Sequence, residues 1–211
     1  MTGGVGSGKS TVSRLFGEWS ASVIEADPIG WELLQPESPV YDTVCQAFDA
    51  EILDSSGNID RRRLGRVVFS SREHRQRLDQ IIHPFLLKEL KRRISEVKRI
   101  APIVVVDAAL IYEWGIQDWF DMVIAVTAPE GVRLDRLQAS GLSREEASDR
   151  IRSQIDQEEK AARADMVIVN EGSLEALRER TAEVWQAIRR KWPQIRIRLE
   201  PQMDADQHRS G

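Results

Sequence analysis

The run Gly3-Gly4-Val5-Gly6-Ser7-Gly8-Lys9-Ser10-Thr11 constrains this chain more than any other stretch. It fits the phosphate-loop pattern G-x-x-x-x-G-K-[ST], with Gly3, Gly8, Lys9 and Ser10 at the fixed positions. Glycine at this density lets the backbone curl with its N–H groups turned inward, and a helix starting near Lys9 adds the positive end of its dipole at the same point. An anion belongs there. Lys9 would reach the β- and γ-phosphates of a nucleoside triphosphate such as ATP and the Ser10 hydroxyl would ligate Mg²⁺, while Gly4, Val5, Gly6, Ser7, Gly8 and Thr11 complete the cradle. Val12, Leu15 and Phe16 give the helix that follows an apolar face.

A loop of this kind hangs from the carboxyl end of a buried parallel strand, and only Met1 and Thr2 precede Gly3. The usual first strand is therefore expected to be missing, and the natural protein is expected to begin upstream with about six apolar residues, a normal strand length. Other strands are legible. Ser22–Glu25 is a short one ending at Ala26-Asp27-Pro28, and residues 102–107, 121–127 and 165–170 are β-branched runs of the kind buried on both faces of a parallel sheet. Asp27 and Asp107 close two of these strands. Ligands in such sheets bind at the carboxyl edge, so Asp27 is a candidate catalytic acid and Asp107 a candidate for the Mg²⁺ shell. Helical patterns between the strands predict a parallel-sheet α/β phosphate-loop (P-loop) fold of the nucleoside triphosphate hydrolase and kinase type.

From the end of the first legible strand to about residue 100 there is almost no strand signal, and residues 28–100 read as a helical insertion. Helices are expected after Pro28, over 40–48, and from Arg61 with Asp60 as its cap. A further one is capped by Ser71, and His83-Pro84 is expected to mark a joint before a long helix from about 85 to 99. Three arginines, Arg61 to Arg63, oppose the dipole at their helix start and invite a binding role, though arginines paired on a solvated face are the commoner reading. Residues 129–163 hold two charged helical stretches, about 130–139 and 144–163, with Ser143 and Glu146 forming a capping box. Their arginines, Arg133, Arg136, Arg144, Arg150 and Arg152, suit a lid over phosphates, Arg136 foremost. Ser173 caps a last amphipathic helix, Ile195 to Leu199 could form an edge strand, and residues 201–211 read as a disordered tail. The core is thus 1–27, 101–128 and 164–200 of one domain.

Composition narrows the function by exclusion. A net charge of −4 gives no global basic excess for nucleic acid or an anionic membrane, and no apolar run is long enough to span a bilayer. Cys45 is alone, which precludes an internal disulfide and fits the cytoplasm. The three histidines are scattered and build no metal cluster. Guanine-nucleotide switches need an Asn-Lys-x-Asp base-reading motif, which the chain lacks. What remains is a small kinase.

At this level the chain resembles the dephospho-CoA kinase family over nearly its whole length. The residues that carry the resemblance are Thr2 to Thr11, Val23-Ile-Glu-Ala-Asp27, Asn58-Ile-Asp-Arg61 with Val68-Phe69, and Ile82-His-Pro84. Leu110-Ile-Tyr-Glu113, Arg136-Leu137, Arg150-Ile151 with Gln154, Lys160 with Ala164-Asp165, and Asn170-Glu-Gly172 continue the set. Their order and spacing are diagnostic together, and none is so alone beyond the loop. The resemblance implies transfer of the ATP γ-phosphoryl group to the ribose 3′-hydroxyl of dephospho-CoA. It implies Asp27 as the acid that orients or deprotonates that hydroxyl, and Lys9 and Arg136 on the transferred group. Ser10 would be on the metal, and Arg61 and His83 in the acceptor-binding insertion. Glu25-Ala26-Asp27 stands where the family has Asp-Ala-Asp, and Ala109-Leu110-Ile111 where it has Pro-Leu-Leu. In the lid, where the family commonly has Gln-x-x-Arg-Leu-x-x-Arg, this chain has Arg133 to Ser140 with serine in the last position. Arg133 or Arg144 is expected to supply the lost charge. A kinase of another nucleotide or small hydroxyl acceptor, or an ATP-binding regulator without turnover, are the competing readings.

Overall fold

The sheet is parallel throughout, so its strands share one carboxyl edge, and the phosphate loop lies at that edge. The computed structural model describes residues 1–193. In chain order it contains β1 (Thr2–Gly3), α1 (Lys9–Glu18), β2 (Ser22–Glu25), α2 (Ala26–Glu32), α3 (Tyr41–Phe48), α4 (Arg61–Ser70) and α5 (Arg72–Val97). There follow β3 (Val104–Asp107), β4 (Ile124–Thr127), α6 (Glu130–Ala139), α7 (Arg144–Arg152), α8 (Gln157–Arg163), β5 (Met166–Val169) and α9 (Leu174–Lys191).

Two strand groups, β1-β4-β5 and β2-β3, make the sheet. They meet at Met1, whose nitrogen donates to the Val106 carbonyl at 2.6 Å while its own carbonyl accepts from Ala108 N at 3.1 Å. The continuous order is therefore β2-β3-β1-β4-β5. This corrects the expectation that the first strand is missing: a two-residue strand pairs Thr2 with Ala125 and Gly3 with Val126, in the middle of the sheet. On the β3 side it is joined through the backbone atoms of Met1. Beyond Met1, a cavity of about 400 Å³ lies between the entering halves of β3 and β4, walled by Ile103, Val104, Ile124 and Trp192. The segment Ile195 to Leu199 and the tail lie outside the described residues.

Three apolar cores follow from the layers. Val12, Leu15 and Phe16 of α1 pack with Trp185 and Ile188 of α9 under the sheet, and the Phe16 and Trp185 rings lie 5.4 Å apart. On the other face Ile24, Val106 and Ile111 meet Leu90 and Ile94 of α5. The helical insertion has its own core, in which Val44, Ile52, Leu64 and Val68 surround Ile82 and Leu86.

The joint expected at His83-Pro84 does not form, and α5 runs unbroken for 26 residues with Pro84 inside it. Proline removes one N–H and so frees the carbonyl four residues earlier, Gln80. Both residues are on the exposed side of the helix, where a freed carbonyl is open to solvent, while the buried stripe Ile82, Leu86, Leu90, Ile94 continues without interruption. The second lid stretch, conversely, is broken: α7 ends at Arg152, Asp156 caps α8 through Glu158 N at 2.7 Å, and residues 153–156 form a connecting strap.

Asp60 caps α4 as read, its carboxylate accepting from Arg62 N and Arg63 N at 2.8 Å each. The Arg63 backbone bond, with help from that of Arg62, holds its pKa below the usual carboxylate range. A depressed carboxylate stabilises the fold above its unfolded pKa and loses that contribution as pH falls through the folded one. Asp60→Ala should therefore lower the melting temperature at pH 7, and the gap between variant and parent should close in acid below the normal carboxylate range, as thermal unfolding across pH would record.

Candidate functional site

The carboxyl ends of β1, β2 and β3 converge on one cleft of about 650 Å³, a size suited to small-molecule ligands. Its floor is the phosphate loop, Gly4 to Thr11, and its far wall is the face of the helical insertion that carries Arg61, Leu64, Val68, Arg75 and Asp79. Asp27 stands between the two. The register that sets Glu25 opposite Asp107 carries the chain into α2 directly after β2, so Asp27 falls in the first turn of that helix and projects into the cleft. It is exposed to solvent there, as a residue that meets a diffusing substrate must be.

The loop is shaped by what presses on it from behind. Gly8 has φ +92°, a conformation open to glycine at little cost, and a side chain there would also collide with the Asn170 amide, whose Nδ2 donates to Ser7 O at 2.7 Å. At Gly4 the space for a Cβ is taken by the Arg133 guanidinium, which donates from Nε to Val5 O at 2.9 Å. Arg136 donates to Gly6 O at 3.1 Å and to Asn170 Oδ1 at 3.2 Å. With the Val5, Gly6 and Ser7 carbonyls bound by these donors, and Val5 N and Ser7 N taken by Gln154 Oε1 and Gly4 O, the Gly6 and Gly8 amides and those at the start of α1 are left for an anion among the described residues, as a nest requires.

Lys9 is paired with Asp107, whose other oxygen accepts from Ser13 Oγ at 2.7 Å. Asp107 is buried and Ser10 opens onto the cleft. Among the described residues no group of three or more His, Cys, Asp or Glu side chains could enclose a metal ion. One hydroxyl and one carboxylate beside a phosphate site is nevertheless the oxygen donor set that Mg²⁺ uses when a nucleotide supplies its other ligands.

The cationic side chains divide between the two ends. Arg136 leans on the loop, while Arg61 lies over the Trp31 ring at 5.6 Å and Arg75 lines the insertion face. Neither Arg133 nor Arg144 takes the place lost at Ser140. Arg133 is buried against the back of the loop, with its pKa lowered by burial, and Arg144 is exposed at the start of α7. Besides Arg136, the cation of the 129–163 stretch that lines the cleft is Arg150, stacked on Phe69 at 4.8 Å and approaching Gly65 of α4. It bridges lid to insertion. His83 is not on the cleft wall: its ring packs against Trp114, which is, with centroids 6.1 Å apart, and its Nε2 is buried without a partner among the described residues.

Five residues quoted for the resemblance without a role acquire one here. Asn170 holds the loop, and Gln154 accepts from Val5 N at 2.9 Å. Lys160 is fully buried and donates to Ala109 O at 2.7 Å, with Glu113 at 2.6 Å. Burial lowers its pKa and Glu113 opposes that. Thr2 Oγ1 reaches the same Ala109 carbonyl at 2.9 Å, so the root of the loop, the end of β3 and α8 share one polar knot. A lone lysine in a charged helix gave no hint of this, because the burial comes from the fold around it.

A family model described as dephospho-CoA kinase matches residues 1–176. The chain belongs to the dephospho-CoA kinase family. A dephospho-CoA kinase of Carboxydothermus hydrogenoformans is 41% identical over 194 residues, covering 91% of this chain and 92% of that protein. One of Frankia casuarinae is 39% identical, covering 88% and 81%. Among solved structures, TT1252 of Thermus thermophilus is similar with a TM-score of 0.73 and 35% identity, over 89% of this chain and 94% of the other. The dephospho-CoA kinase of Campylobacter jejuni gives 0.64 and 28% identity, over 90% and 96%. Family membership makes the protein an ATP-dependent kinase with a parallel α/β phosphate-loop fold. No helix among the described residues is long and apolar enough to cross a membrane.

Removing one partner of a buried ion pair leaves the other uncompensated, which typically costs about 3–5 kcal/mol. Lys160→Met should destabilise the fold on that scale, read as a lower urea midpoint with an unchanged slope.

Proposed function

We propose that this chain transfers the γ-phosphoryl group of ATP to the ribose 3′-hydroxyl of dephospho-CoA, giving ADP and coenzyme A. The observation that carries this reading is the placement of Asp27 between the anion nest and a second, basic and aromatic wall in one continuous cleft. Two substrates can occupy such a cleft end to end, with a carboxylate at their junction. The relatives named as dephospho-CoA kinases supply the identity of the acceptor.

In this reading the loop amides and Lys9 hold the donor phosphates, and Lys9 exchanges its Asp107 partner for phosphoryl oxygens. Ser10 and Asp107 would hold Mg²⁺ beside those phosphates, and the ion would supply charge neutralisation there when bound. Asp27 accepts the proton of the acceptor hydroxyl as its oxygen bonds to the γ-phosphorus and the bond to the β-phosphate oxygen breaks. Arg136, fixed by Gly6 and Asn170, faces the charge that develops on the transferred group. Arg61 and Arg150 meet the acceptor's anionic groups across the cleft. His83 acts at one remove, by seating the Trp114 ring that lines it.

Asp27→Asn should leave the Kd for ATP nearly unchanged and lower kcat by about 10²-fold or more, the scale of losing a positioned base. Equal loss in binding and turnover would make Asp27 structural. Arg150→Met should raise KM for dephospho-CoA by about tenfold with little change in the Kd for ATP, consistent with loss of one charge-assisted contact. Steady-state turnover against a panel of nucleoside and small hydroxyl acceptors tests the substrate itself, and preference for another acceptor would overturn it.

A further inference from the structure

Three loop carbonyls are bound by side-chain donors from outside the loop, and one loop amide is bound by a side-chain acceptor from outside it. Val5 N donates to Gln154 Oε1 at 2.9 Å, and both residues line the cleft. A neutral oxygen here occupies a donor that the nest otherwise offers to an anion. Val5 lies toward the end of the loop opposite the helix that starts at Lys9, so the oxygen it would receive belongs to the far, terminal phosphoryl group. A charged oxygen is the better acceptor, since charge-assisted hydrogen bonds are roughly twice as strong as neutral ones. The triphosphate therefore displaces the Gln154 carbonyl, and the same carboxamide carries an NH₂ that can turn to donate to the newcomer.

Where Gln154 sits makes that exchange consequential. It belongs to the strap between α7 and α8. On the α8 side the strap is fixed, because Ile155 N donates to Glu113 Oε1 at 3.0 Å and Glu113 is held by the buried Lys160. On the α7 side, one turn back, is Arg150, the lid cation that reaches across the cleft to Phe69. A change at Gln154 is thus transmitted toward Arg150 and not toward α8.

We propose that Gln154 is a positioning residue that reads the terminal phosphoryl group at the Val5 amide and sets Arg150 accordingly, so that the acceptor wall is completed when a triphosphate, and not a diphosphate, is bound. This rests on the cleft being the triphosphate site of the kinase, but not on the identity of the acceptor.

The test measures binding of a non-hydrolysable ATP analogue and of ADP, both with Mg²⁺, to the full chain and to Gln154→Glu and Gln154→Leu. Hydrogen exchange over residues 144–156 is followed in each state. A carboxylate at this position would face the terminal phosphoryl group, so Gln154→Glu should weaken the triphosphate by about tenfold relative to ADP. In the parent, the triphosphate should slow exchange over 144–152 more than ADP does. In Gln154→Leu that difference should vanish, and KM for dephospho-CoA should rise more than the Kd for the analogue. Thermal melts of both variants guard against a folding defect: a purely structural role would weaken both nucleotides alike. Equal loss of ATP-analogue and ADP affinity, or a protection pattern that survives in Gln154→Leu, overturns the proposal. Failure of the parent to bind either nucleotide would instead overturn the triphosphate reading. Tight nucleotide binding with turnover of a different acceptor would overturn only the substrate assignment.

Discussion

The structure depends on a parallel seam only a few residues long. Met1 gives β3 two backbone bonds, Thr2 and Gly3 give β4 its ladder, and the Thr2 hydroxyl adds the bond to Ala109. Buried amides and carbonyls without partners are costly, so this seam decides whether β2-β3 and β4-β5 behave as one sheet or two. It also sets where the loop begins, since Gly4 follows the seam without a spacer. Asp27 and Asp107 come from one half and Arg136 and Asn170 from the other, and their separation across the cleft is fixed by the same few bonds.

Above the seam, the loop is an arch held from outside. Arg133, Arg136 and Asn170 each take a carbonyl, and these contacts come from α6 and from the end of β5. A loop of this glycine content would sample many conformations alone, and the donors remove that freedom before any ligand arrives. Arg133 stands where the family commonly has glutamine, and the structure gives it a framework role: a buried guanidinium against backbone rather than a free cation over phosphate.

Much of this was legible in the residues. The loop, the three β-branched strands, the caps at Asp60, Ser143 and Ser173, and the position of Asp27 at a strand end all follow from local chemistry, which acts over a few residues and so leaves its mark in a few residues. The continuous α5 was not, because Pro84 signals a break locally while the buried stripe on either side outweighs it. Nor was β1 legible, since two residues carry no periodicity and its existence depends on partners more than a hundred positions away. The site divides in the same way. Lys9, Ser10 and Asp27 announce themselves by motif or edge position. Arg150, Gln154, Lys160 and Glu113 matter through contacts made across the fold, and among several similar arginines of the 129–163 stretch only three-dimensional packing separates Arg136 and Arg150, which line the cleft, from the rest.

The unbroken α5 has a mechanical consequence. Its 26 residues make a rod of about 39 Å, with Ile82 and Leu86 embedded in the insertion core and Leu90 and Ile94 in the core under β2 and β3. A hinge at His83-Pro84 would have let the insertion swing as a jaw. A single beam set in both cores instead ties insertion and sheet into one stiff frame, and it sets the distance between Asp27 and the face that carries Arg61, Leu64 and Val68.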